Sequence, residues 1–206
     1  MFELRRRLLR SLFLLTSIVC LGWVVVAHAR MHFAQRGLRQ ELIDSRSDGS
    51  RLDRPGGGHP ADGRDPELPL HSGEVVGRIE IPQAGLDVMA LEGVRSDLLD
   101  KGVGHFPDTS LPGFRGNAAF AGHRDTFFRP LRNVVQGDTV RVTTSWGRYT
   151  YAVRAIRVVD PDDVAVLEDQ HGEQLLTLIS CYPFDWVGPA HRRVVITALP
   201  ISNPPS

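Results

Sequence analysis

Hydrophobic and polar positions divide the chain into three textures. Residues 8–27, LLRSLFLLTSIVCLGWVVVA, form the one long apolar segment, about the length needed to cross the hydrocarbon core of a bilayer as a single helix. From Glu74 onward the apolar runs are short, rich in Val and Ile, and broken by Gly, Pro and Asp at intervals of about ten residues, the pattern of an all-β barrel or sandwich. Between the two, residues 45–69 are dense in Gly, Pro, Asp and Arg, including Pro55-Gly56-Gly57-Gly58, and hold little that could build a core. The charges of this stretch read as solvated, and the stretch itself as a flexible stalk.

The β region yields seven candidate strands, at 75–81, 86–90, 117–121, 139–143, 148–159, 174–180 and 193–198. Thr139-Val140-Arg141-Val142 and Tyr149-Thr150-Tyr151-Ala152-Val153 alternate in character, as half-buried antiparallel strands do. Ser145-Trp146-Gly147 between them reads as a hairpin turn. Helical periodicity is confined to brief pieces near 96–99 and 126–131, and a helix over 8–27 has room to continue through 31–43.

Arg5, Arg6 and Arg7 precede the apolar run, so the positive-inside bias puts the N-terminus in the cytoplasm and everything after Ala27 outside. Arg10 lies within a turn of the helix end, from which a long side chain snorkels to the headgroups. A cleaved signal peptide is the rival reading; against it, the run exceeds the usual apolar core of such peptides and His28-Ala29-Arg30 is a poor cleavage site. The expected organisation is a basic cytoplasmic start (1–7), a membrane anchor (8–27), a stalk (28–73), one β-domain (74–200) and a tail (201–206). With 24 basic and 24 acidic residues, formal net charge is zero, and nothing in the composition suggests a nucleic-acid partner.

Candidate chemistry centres on Cys181. It ends the strand-like run Thr177-Leu178-Ile179-Ser180-Cys181, and the other cysteine, Cys20, lies in the apolar segment. Without a disulfide partner the thiol is either a small buried hydrophobe or a nucleophile, and a nucleophile needs a proton acceptor or a positive charge beside it. His123 follows the apolar run 118–121 at a strand end marked by Gly122. The segment after Cys181, with Pro183, Gly188 and Pro189, reads as a loop into a last strand opening with Arg192-Arg193. Strand alternation sends these two arginines to opposite faces; spacing before Val194-Val195-Ile196 favours Arg193 near the sulfur, with Arg192 as the alternate register. A guanidinium there can stabilise a developing oxyanion without losing its charge. Asp125 is placed either to orient His123 or to start a helical turn, and His105 either lines the site or caps a loop. Phe184 and Trp186 either shield an acyl intermediate or pin their loop.

At these residues the chain resembles the sortases, membrane-anchored cysteine transpeptidases of bacterial surfaces. Thr177-Leu178-Ile179-Ser180-Cys181 is similar to their TLxTC strand, with Ser180 in place of the usual threonine. Ala121-Gly122-His123-Arg124-Asp125 resembles their histidine segment, and Arg193-Val194-Val195-Ile196 their arginine-bearing last strand. Cys181-Tyr182-Pro183-Phe184, Gly188-Pro189-Ala190 and Gly104-His105-Phe106-Pro107 resemble class D and class E members most. The resemblance implies a closed β-barrel of about eight strands with short helices, extending over the whole β-domain. It further implies that Cys181 attacks a backbone carbonyl of a sorting motif to form a thioester, and that His123 acts as general acid and then general base. Arg193 would hold the oxyanion, with Ser180, Asp125 and Thr177 in support. The implied partners are secreted surface proteins or pilins with a C-terminal sorting motif and an amine acceptor, at the outer face of the cell membrane; no cofactor or metal is required. Two other readings stand beside this one: a thiol hydrolase using the same residues with water as acceptor, and a non-catalytic module holding metal through His105, His123 and Cys181, whose spacing lacks close ligand pairs.

Overall fold

A computed structural model of the chain describes residues 2–47, 70–168 and 173–201. Eight strands close into a barrel: β1 (Val75–Ile81), β2 (Leu86–Glu92), β3 (Val103–His105), β4 (Gly116–Gly122), β5 (Thr139–Thr144), β6 (Arg148–Val159), β7 (Gln174–Tyr182) and β8 (Arg192–Pro200). Their spatial order is β1-β2-β3-β4-β7-β8-β6-β5, with β5 returning to β1. The β2–β3 and β4–β7 pairs are parallel and the remaining neighbours antiparallel. All seven strands expected from the sequence are present; β3 is the addition, three residues long and fully buried.

The barrel interior follows the pleat. Ala118 and Phe120 of β4, Leu176 and Leu178 of β7, and Val194, Ile196 and Ala198 of β8 share one core with Val140, Val142, Tyr151 and Val153 of the β5–β6 hairpin. That hairpin turns at 145–147 as expected: Thr144 N–H donates to Gly147 O (2.9 Å), and the buried indole of Trp146 donates to Pro112 O (3.0 Å). Burial pushes the Tyr151 phenol well above its ordinary pKa; its oxygen accepts the Gly113 N–H at 3.1 Å.

On the other face of the sheet, Ile179 and Val195 pack with Val166, Phe106, Val159 and Leu167. Val166 belongs to a 3₁₀ turn, Val164–Leu167, that covers this outer face. A slip of β8 by one residue would exchange Val194 and Ile196 for Arg193 and Val195 in the interior. Each buried Val or Ile stabilises by about 1.5–3 kcal/mol, so the apolar alternation of β8 fixes where its arginines stand.

The short helix at Ser96–Leu99 (α2) falls where periodicity placed it, whereas the second piece forms a 3₁₀ turn at Arg129–Asn133. The N-terminal helix α1 runs from Phe2–Ser47, through the possible extension at 31–43, so the expected stalk begins as helix. The Gly/Pro-rich 48–69 portion of that stalk and the tail beyond Ile201 lie outside the described residues. Among the described residues no helix is long and apolar enough to cross a membrane. The last turns of α1 rest on the barrel: Leu42 is buried, and Arg39 pairs with Asp87 of β2 at 2.7 Å. Arg78 of β1 hydrogen-bonds the same carboxylate, and the two guanidinium groups hold the Asp87 carboxyl below the ordinary carboxylate range.

Candidate active site

The site forms where β4, β7 and β8 reach the same end of the barrel. β4 and β7 run parallel with Ala121 opposite Ile179 and Gly122 opposite Ser180. His123 is the first residue beyond β4 and Cys181 the next residue of β7, so both follow the last pair of this ladder. The Ser180 hydroxyl points the other way from its neighbour and donates to Gly122 O at 2.8 Å, locking the two strand ends together. Ser180 therefore holds the strands from which His123 and Cys181 emerge, and its buried hydroxyl is committed to that bond.

Across the antiparallel β7–β8 ladder, Cys181 stands opposite Arg193 and Tyr182 opposite Arg192. Directly opposed residues share a face of the sheet, so Arg193 is on the Cys181 face together with Ile179 and Val195. Arg192 faces away, its guanidinium 3.8 Å from Asp160, and the pairing favours the first of the two sequence registers. Cys181 is half-buried, and both cysteines are free thiols.

The backbone at His123 is held by a tight turn. The N–H groups of Thr126 (3.4 Å) and Phe128 (3.1 Å) donate to His123 O, and the ring of Phe128 is fully buried under Gly122. A Cβ at Gly122 would come within 2.6 Å of that ring, so only glycine permits the turn to close here. The imidazole itself remains partly open, with its side chain 40% exposed and Nε2 lying 3.9 Å from Asp100 Oδ1. Of the two readings of Asp125, the turn is the one present: Asp125 is exposed within the turn after His123, and no hydrogen bond or ion pair joins it to that imidazole. The carboxylate beside the imidazole belongs to Asp100, 23 residues upstream, which nothing in the local sequence around His123 could have signalled.

Thr177 supports the site from beneath. Its buried hydroxyl donates to Asn117 Oδ1 (2.7 Å), and Asn117 Nδ2 donates to Val166 O (2.9 Å), tying β7, β4 and the covering 3₁₀ turn into one unit. Arg124, adjacent to His123 and overlooked by sequence reasoning as anything but part of the motif, clamps the loop after Cys181: it donates to Pro183 O (3.0 Å) and Gly188 O (2.7 Å). Arg132 forms an ion pair with Asp185 of the same loop. Phe184 packs against the main core and so pins the loop, while Trp186 stays half-exposed with its ring near His191.

His105 lies elsewhere. It is buried against Phe120, with Nδ1 2.8 Å from Glu92 Oε2 and Nε2 2.9 Å from Ser110 O, so it holds the loop after β3 and does not line the site. Among the described residues, no group of three or more His, Cys, Asp or Glu side chains could hold a metal ion. The site thus offers a thiol and a guanidinium on one face of the sheet, with an imidazole just beyond the adjoining end of β4. Those are the groups that acyl transfer through a thioester requires.

Residues 79–201 match the sortase domain family, and the chain belongs to that family. It is 38% identical over 125 residues to sortase D of Bacillus subtilis (61% of this chain, 63% of that protein). To sortase A of Bacillus anthracis it is 32% identical over 116 residues (54% of each). The chain thus spans less than two thirds of the length of these relatives. Among solved structures, it resembles sortase E from Streptomyces avermitilis at 28% identity and a TM-score of 0.55, covering 64% of this chain and 91% of that one. A Clostridium perfringens sortase D5 transpeptidase shares the fold with a TM-score of 0.63 at 24% identity, covering 80% of this chain and 98% of that one.

Proposed function

We propose that the protein is a cysteine transpeptidase. Cys181 Sγ attacks a backbone carbonyl of a sorting motif, and Arg193 stabilises the tetrahedral oxyanion. As the peptide C–N bond breaks and the thioester remains, His123 gives its proton to the departing amine. His123 then takes a proton from an incoming amine, whose nitrogen displaces the thiolate and forms a new amide. The observation that carries this reading is the register that sets Arg193 opposite Cys181, with His123 at the adjoining end of β4. The proposed donors are secreted surface proteins or pilins with a C-terminal sorting motif. A solved Streptococcus pneumoniae sortase C is described in terms of pilin substrate specificity, which supports the pilin option by kinship alone.

The test is incubation with a pool of sorting-motif peptides, with and without an added amine. A Cys181-linked thioester visible by mass spectrometry and an amine-dependent ligation product are expected. Cys181→Ala should abolish both, and Arg193→Ala should lower turnover by about 10²–10³-fold, whereas Arg192→Ala should cost less than about tenfold. Hydrolysis as the main flux whatever amine is present would instead favour a thiol hydrolase, and turnover by Cys181→Ala would end the catalytic reading.

We further infer that α1 anchors the enzyme in the cell membrane, N-terminus inside and barrel outside. The full sequence supplies an apolar run over 8–27 behind Arg5, Arg6 and Arg7. Along the described part of α1, Phe13, Leu15, Ile18, Val19, Leu21, Trp23, Val25 and Val26 are each more than half exposed, on all sides of the helix and without protein to cover them. The full chain should stay in the membrane pellet after alkaline carbonate washing and be released by detergent; release by carbonate alone would overturn the anchor.

A further inference from the structure

The last turns of α1 do more than rest on the barrel. β2 and β3 form a parallel ladder that begins at Ala90 opposite Val103. One step earlier the ladder is open, and the side chain of Gln35 fills the gap. Its Oε1 accepts the Met89 N–H at 2.9 Å, while its Nε2 donates to Lys101 O. One amide thus bridges a donor of β2 and an acceptor of the turn leading into β3, standing where a strand neighbour's peptide would stand. The fit is close: a Cβ at Gly102 would lie 2.5 Å from Met89 O and 3.4 Å from Gln35 Nε2.

Lys101 is the residue after Asp100. The stretch from Ser96 to Gly102 is wound on itself, with Asp100 N–H donating to Ser96 O (3.0 Å), Lys101 N–H to Leu98 O (2.9 Å) and Gly102 N–H to Leu98 O (3.1 Å). This turn is hydrogen-bonded within itself and tied to α1 through the Lys101 carbonyl. From that turn Asp100 reaches the imidazole of His123. Continuous contacts therefore run from a helix preceding the barrel to the residue proposed as its proton carrier. Arg39, one turn along α1 from Gln35, and its pair with Asp87 keep the helix seated.

We propose that Asp100 is a positioning residue for His123, and that Gln35 of α1 sets Asp100 by holding the Lys101 carbonyl, so that the helix leading from the membrane forms part of the catalytic unit. The inference rests on the acyl-transfer reading only in that His123 serves that reaction. Asp100 is exposed, so its influence is modest. Solvent-exposed pairs contribute under about 1 kcal/mol, which corresponds to roughly a two- to fivefold change in rate.

The full-length protein in detergent micelles is compared as wild type, Gln35→Ala, Asp100→Asn and the double variant. Each single change should lower kcat by roughly two- to fivefold with the peptide KM unchanged, and the double variant should lose no more than the worse single one, because both act through one contact. The imidazole ¹⁵N resonances of His123 should move in both single variants, a signature that loosened packing of α1 alone would not give. Unmoved His123 resonances in Gln35→Ala, or losses that multiply in the double variant, would overturn the coupling. Absence of a Cys181-linked thioester in the wild type would refute the transpeptidase reading but leave the resonances to decide the positioning.

Discussion

Two histidines lie within one barrel and have opposite fates. His105, at the end of β3, is 1% exposed and has both ring nitrogens engaged. Nε2 faces the Ser110 carbonyl, which can only accept, so that nitrogen carries hydrogen. Nδ1 lies 2.8 Å from Glu92 Oε2, so both sides of the ring are held. His123, one residue beyond β4, has an imidazole 40% exposed, with Asp100 Oδ1 3.9 Å from its Nε2. The same side chain is a strut in one place and the proposed proton carrier in the other. What separates them is whether burial has saturated the ring. Strand ends supply open positions because the ladder stops there, and a residue past the last pair is freed from packing on both faces.

The contrast is broken most severely at His123. Replacing it with Gln keeps size and polarity but removes the proton carrier, so the rate of thioester formation should fall by about 10²–10⁴-fold. The folded state should be unaffected, with the denaturation midpoint unchanged to within about 0.5 kcal/mol, as at other surface positions. Stopped-flow acylation alongside urea unfolding measures both quantities on one sample. A large loss of stability would mean that His123 is a structural residue like His105, and the distinction would collapse.

How much of this was legible beforehand follows from the range over which each signal acts. β6 was visible because Tyr149, Tyr151 and Val153 alternate toward the core, and β8 because Val194, Ile196 and Ala198 do the same. β3 has three residues, too few for a period, and exists only through its partners on β2 and β4. Cys181, His123 and the arginine pair could be read from short motifs, and spacing before Val194-Val195-Ile196 favoured Arg193 over Arg192. Only the pairing of Cys181 with Arg193 says which one shares the face of the thiol. Asp125 could be read either as an orienting group or as the start of a turn; the turn after Gly122 leaves it exposed, and the carboxylate near His123 is Asp100, from a separate loop. The amide bridge of Gln35 was invisible for the same reason, since it joins positions 54 and 66 residues apart.

The gentlest way to sharpen the comparison acts on the buried side, through Glu92→Gln. Glutamine fills the same space and still offers the imidazole of His105 a hydrogen-bond partner, so no polar group is left stranded; what disappears is the charge. Hydrogen bonds to charged groups contribute about 1.5–3 kcal/mol against 0.5–1.5 for neutral ones, so a loss of about 1–2 kcal/mol is expected, seen as a lower urea midpoint at constant slope. Turnover per folded molecule should not change, because the His105 ring hydrogen-bonds Glu92 and the loop at Ser110 and Thr109, not Cys181 or His123. Unchanged or increased stability would show that desolvating the pair costs as much as its attraction returns, as buried ion pairs can. In that event the pair would serve to fix the approach of the loop after β3, and the difference between the two histidines would lie in geometry alone.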